Sequence, residues 1–197
     1  MQPNPPHAPE RIEPHGAIAA GRSGSAWTRF LLIFALLLAA DLALKSWGVD
    51  HLSAGGTRRL VPKLLALRWT ENHGAIFGML QGARLFFIIA SVAAAALILY
   101  YFCHSRAREW GVQFGLSLIL AGAMGNLYDR AMFGYVRDML YLFPDVNLPF
   151  GWSWGGGRNE LYPWIFNLAD VYLLMGIAIL LIRTLFTKQP VNPSDAP

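Results

Sequence analysis

Apolar residues in this chain come in long runs, and the few polar residues at their ends are spaced at helical intervals. Leu85 to Cys103 gives 19 residues without a charge, and Trp110 to Tyr128 another 19. Leu161 to Ile182 gives 22 residues with one carboxylate, Asp170. Phe30 to Ala40 is wholly apolar, and Asp41 and Lys45 follow it. At about 1.5 Å per residue such runs cross a hydrocarbon core of roughly 30 Å. The pattern predicts four membrane helices, at about 27–47, 83–103, 110–131 and 164–185. Residues 1–26, rich in Pro, Gly, Ala and His without a hydrophobic period, read as a flexible tail, and 188–197 as a second short tail.

The loop from Gly48 to Gly82 holds an alternating stretch, Leu64 to Thr70, that suits short strands. The expected fold is therefore an all-α membrane bundle of four helices, with a small β-rich element between helices one and two. A turn with Arg106 and Arg108 joins helices two and three. Trp152, Trp154 and Gly155–Gly157 mark a segment, 147–158, in the last long loop, read as an interfacial element.

Composition narrows the class. Hydrophobic residues make up 55% and charged residues only 14%, with a mean hydropathy of +0.38; soluble domains carry about a quarter charged residues, so a soluble enzyme is excluded. The net charge of +4 comes from scattered Lys and Arg, with no stripe suited to nucleic acid. One cysteine, Cys103, excludes an internal disulfide, and the five His have no metal-ligand spacing, so no protein-bound metal is expected. Seven basic residues on the side of the termini face nine on the other, which leaves orientation open.

Ionisable groups inside membrane spans cost about 2.5–3.5 kcal/mol each at the helix centre, so their positions point to function. Asp41 and Lys45 end helix one; Asn126, Asp129 and Arg130 end helix three, which runs the same way. Asn167 and Asp170 open the antiparallel helix four. Helix parity brings all seven to one membrane level, away from the termini, and the long loops add Asn72 and Asp138. Spacings of three and four put each set on one helix face. Nucleophile and metal motifs are missing, whereas four carboxylates are present. Two carboxylates held together share a proton, so that one acts as base on water while the other acts as acid. The residues alone leave open which two. Asp129 beside Arg130, and Asp41 beside Lys45, read as ionised structural partners. Asp170 and Asp138 lack such a cation. A small proton- or ion-conducting protein would also place carboxylates at one depth, but it needs a polar path through both halves of the bundle.

Five segments carry a resemblance. Asp41-Leu-Ala-Leu-Lys45, Asn72-His-Gly-Ala-Ile-Phe77, Gly122-Ala-Met-Gly-Asn-Leu-Tyr-Asp-Arg130, Gly134-Tyr-Val-Arg-Asp138 and Phe166-Asn-Leu-Ala-Asp170 occur in order across residues 27–187. Together they resemble prolipoprotein signal peptidase, the type II bacterial signal peptidase (lipoprotein signal peptidase), an integral-membrane aspartic peptidase. The resemblance implies Asp138 and Asp170 as the catalytic pair, supported by Asn72, Gly74, Asn126, Asp129, Arg130, Asn167, Asp41 and Lys45. It implies cleavage of lipidated prolipoprotein precursors just before a diacylglyceryl-modified Cys. It further implies a monomer among the lipids of the bacterial plasma membrane, with cytoplasmic termini, an extracytoplasmic β element and no cofactor. The chain departs from the family's pattern at Arg137, usually aliphatic, at Ala121, usually Gly, in the long N-terminal tail and in segment 147–158. An extended backbone would turn Arg137 away from Asp138. A presenilin-type peptidase would need Gly-x-Gly-Asp, which does not occur.

Overall fold

The computed structural model describes residues 18–74, 84–154 and 157–186. Residues 1–17, Ala75-Ile-Phe77 of the second motif, Gly155-Gly156 and the C-terminal tail from 187 lie outside the described residues. Four helices are long and apolar enough to cross a membrane: α1 (Gly24–Leu52), α2 (Arg84–His104), α3 (Trp110–Met132) and α4 (Leu168–Phe186). Four short strands lie between them: β1 (Thr57–Val61), β2 (Leu65–Asn72), β3 (Val136–Leu142) and β4 (Ile165–Phe166).

Helix α3 is the central element. It has 61% of its most apolar window buried, against 11–17% for the other three. Its glycines make this possible. A Cβ on Gly122 would collide with the Ala169 carbonyl oxygen of α4, and one on Gly125 with the Asp41 carboxylate of α1. Small residues at such crossings let membrane helices approach closely. Nearer the termini, Phe30 stacks on Phe102 at 4.2 Å among Ala26, Ile98, Leu116 and Leu120, joining α1, α2 and α3. Leu118, Ala121 and Tyr172 form a separate apolar layer between α3 and α4.

The helix ends correct the expected boundaries. Helix α1 starts at Gly24, where the Ser23 hydroxyl accepts from Ala26 N, and continues past Trp47 because its last turns pack on the sheet. Leu52 is buried with Leu67 and Met139, and Gly48 abuts the Met139 side chain. Gly55 and Gly56, at φ of +92° and +122°, then turn the chain. Residues 18–23, expected as tail, pack on the bundle. Ala20 N donates to Ser105 O (2.7 Å), and Ala107 N to Ile18 O (2.8 Å). Helix α4 begins at Leu168 rather than 164, because Ile165 and Phe166 pair with β3 and Asn167 caps the helix.

The β element also differs from the expectation. It is one antiparallel sheet in the order β1-β2-β3-β4, so both long loops supply strands, and the bundle is not purely helical. Register decides which side chains meet. Thr70 lies opposite Asp138, Glu71 opposite Arg137 and Asn72 opposite Val136. Asn72 and Asp138 are therefore diagonal neighbours on one face, while Arg137 points to the other. The described residues of segment 147–158 are tied at their base by an Asn147–Glu160 bridge and a Leu148 N to Asn159 O bond of 2.7 Å.

Candidate active site

Helix α1, α3, α4 and strands β2 and β3 converge where the sequence placed the polar residues, and their carboxylates fall into two kinds. Asp41 and Asp129 are fully buried and ion-paired. Lys45 Nζ, itself buried, lies 2.8 Å from Asp41 Oδ2, 3.3 Å from Asp129 Oδ2 and 3.1 Å from Asn126 Oδ1. Arg137 completes this cluster. Its Nε and Nη2 fork onto Asp129 Oδ1 at 3.0 and 2.7 Å, and its main-chain N donates to Asp129 Oδ2 at 3.0 Å. Two cations and two carboxylates balance, as buried charge requires.

Here the structure corrects the sequence reading of Asp129. Its cations are Arg137 and Lys45, not its neighbour Arg130. Arg130 instead donates from Nη2 to Gly74 O (3.0 Å) and stacks on Phe87 at 4.7 Å. Sequence reasoning misses the structural part played by Arg137, although it notes that an extended backbone would separate Arg137 from Asp138. Gly125 and Ala169, which shape the Asp41 pocket, gave no such signal.

Asp138 and Asp170 are held by amides. Asn72 Nδ2 donates to Asp138 Oδ2 at 2.8 Å, and Asn167 Nδ2 to Asp138 Oδ1 at 2.7 Å. Asn72 is fixed in that orientation because its Oδ1 accepts from Gly74 N (3.0 Å). Asn167 and Asp170 form a reciprocal cap at the start of α4. Asp170 N donates to Asn167 Oδ1 (3.0 Å), and Asn167 N to Asp170 Oδ2 (3.1 Å). The three-residue spacing seen in the sequence is thus a capping box whose acidic member faces the site. Asn126 Nδ2 donates to Asp170 Oδ1 (2.9 Å), while Asn126 Oδ1 accepts from Lys45 and from Asn167 Nδ2 (3.1 Å). Asn126 therefore links the neutral ion cluster to the second carboxylate pair, to Asp170 directly and to Asp138 through Asn167.

Neither carboxylate of that pair has a cation within ion-pair distance among the described residues. Asp138, 1% exposed, is pushed up from 3.8 to about 7, first by burial and then by the charge of Asp170. The amide bonds from Asn167 and Asn72 oppose that rise. A buried carboxyl that holds its proton near neutrality can donate it.

Comparison with known proteins shows the family. Residues 33–186 match the family described as Signal peptidase (SPase) II. A lipoprotein signal peptidase of Latilactobacillus sakei subsp. sakei (strain 23K) is 34% identical over 160 residues, covering 81% of this chain and 95% of that protein. One of Streptococcus pyogenes serotype M1 is 34% identical over 155 residues, covering 78% and 90%. A solved bacterial membrane enzyme, determined by the in meso method at 1.9 Å, superposes with a TM-score of 0.68 at 25% identity. That match covers 82% of this chain and 95% of the other. This four-helix membrane chain belongs to the signal peptidase II family of peptidases.

Proposed function

We propose that the protein is an aspartic endopeptidase that removes signal peptides from diacylglyceryl-modified prolipoproteins, cutting just before the lipidated Cys. The observation that carries the reading is the division of the carboxylates. Asp41 and Asp129 are neutralised by Lys45 and Arg137, whereas Asp138 and Asp170 meet only amides in the described network. Asp138 keeps the proton and gives it to the scissile carbonyl oxygen. Asp170 takes a proton from water, whose oxygen attacks the carbonyl carbon. The C–N bond of the tetrahedral intermediate then breaks as the leaving nitrogen takes up the proton held by Asp170, and a hydroxyl of the intermediate returns its proton to Asp138.

Asn72, Asn126 and Asn167 orient the two carboxyls, and Lys45, Asp41, Asp129 and Arg130 hold the elements that carry them. The protein works in the bacterial plasma membrane as a monomer, with cytoplasmic termini and the site near the outer face. Ion conduction is disfavoured by the apolar layer of Leu118, Ala121 and Tyr172. Gln113 and Ser117 are buried beyond that layer. Ser117 bonds only to the Phe30 and Gln113 carbonyls among the described residues, so it closes on the helices.

The test is cleavage of a synthetic precursor peptide bearing diacylglyceryl-Cys, with its unlipidated twin alongside. Mass spectrometry should find a cut before the Cys in the lipidated peptide. Proton flux in liposomes without cleavage would replace this reading with the conducting one.

A further inference from the structure

The end of the bundle remote from the carboxylates carries a second preformed arrangement, which peptide hydrolysis does not use. Arg29, in the second turn of α1, donates through Nη2 to Ala107 O (2.9 Å) and Gln113 Oε1 (3.1 Å). Gln113 is 2% exposed, and its Nε2 donates to the Arg106 and Ala107 carbonyls, so its oxygen is a fixed acceptor. The guanidinium lies 4.6 Å from the Trp110 ring centroid. No carboxylate lies within ion-pair distance of Arg29 among the described residues, and its shielded Nε has no hydrogen-bond partner.

Beside this guanidinium lies a cavity of about 330 Å³ lined by Arg29, Ile33, Trp110, Gly111, Gln113 and Phe114. Arg183, in the last turn of α4, reaches the same place: a Cβ added to Gly111 would collide with its Nη1. Two guanidiniums thus flank an otherwise apolar groove on a membrane bundle.

We propose that this groove binds one anionic phospholipid, with its phosphate on Arg29 beside Arg183 and an acyl chain along Ile33 and Phe114. A planar guanidinium matches phosphate geometry, and a basic pocket at the end of membrane helices favours anionic headgroups. The Trp110 ring sits where interfacial aromatics meet headgroups. A choline headgroup would bring its own cation toward Arg29, which no carboxylate neutralises among the described residues, so the site discriminates by charge as well as by phosphate.

Native mass spectrometry of the purified protein, titrated with phosphatidylglycerol or phosphatidylcholine of the same chains, tests this. One phosphatidylglycerol should be retained in preference. Arg29→Gln should weaken that retention by about tenfold, as expected for loss of a charge-assisted contact. Arg29→Lys should restore part of it, and Arg108→Gln, exposed and outside the cavity, should leave it unchanged. If Arg29→Gln fails to fold, Ile33→Trp fills the groove while keeping Arg29 and should give the same loss. Equal retention of the two lipids overturns the proposal, as does unchanged retention in Arg29→Gln and Ile33→Trp. Full competition by soluble glycerophosphoglycerol at equal concentration also overturns it, since the acyl groove would then contribute nothing.

Discussion

Replacing Asp138 by Asn should leave stability nearly unchanged at pH 5 and raise it at pH 8. In the unfolded chain Asp138 loses its proton near 3.8, and in the folded protein near 7. Between these values the folded state holds a proton that unfolding releases, so the contribution of this group to stability falls as pH rises. The contribution is greatest below 3.8 and is lost by the time pH passes about 7, a loss of ~4 kcal/mol on full ionisation. Asn cannot ionise and escapes that loss. It brings a penalty of its own, because Asn72 and Asn167 both donate to this side chain and one would face an amide NH2 instead. A buried donor left unpaired costs about 1–3 kcal/mol. About 2 kcal/mol of the loss is already incurred at pH 5, so Asp138→Asn should be within about 1 kcal/mol of neutral there, and stabilising by about 1–3 kcal/mol at pH 8. For a chain of this length each kcal/mol moves the melting temperature by about 2–4 °C. Intrinsic tryptophan melting in one detergent at both pH values reads the difference between variant and wild type, so the titration of other groups largely cancels. An unchanged offset at the two pH values would refute the displaced ionisation of Asp138.

Other outcomes follow from the same geometry. Cleavage rates should fall as pH rises through about 7, where Asp138 loses the proton it must donate, and a flat profile from pH 6 to 9 would contradict its role as acid. Arg137→Leu strips Asp129 of its bidentate cation and should destabilise by about 3–5 kcal/mol, with Arg137→Lys intermediate, read as loss of melting temperature. Gly125→Ala drives a methyl group into the Asp41 carboxylate and should lower stability by about 1–3 kcal/mol, whereas Gly24→Ala, in open space, should not.

How much of this was legible in the sequence depended on periodicity. The helices were readable because an apolar run of membrane length has few alternatives, and the polar sets were readable because spacings of three and four force residues onto one face. Strand β3 was missed. Its segment, Val136 to Leu142, is short and largely buried, so alternation between faces does not appear as alternation of polarity. That omission hid the link from Arg137 to Asp129. It also left the choice among four carboxylates to family resemblance. The start of α4 was misplaced for a related reason. Trp164 to Phe166 are as apolar as the helix, and only pairing with β3 and the Asn167–Asp170 cap shows that they precede it.

The central claim is that Asp138 and Asp170 do the chemistry while Asp41 and Asp129 hold the frame. Single-turnover cleavage of a lipidated precursor by Asp138→Asn and Asp170→Asn, with folding verified by melting, tests it most directly. Both variants should be folded and without turnover. Near-normal cleavage by Asp138→Asn, with its loss in a folded Asp129→Asn, would assign the reaction to a different pair.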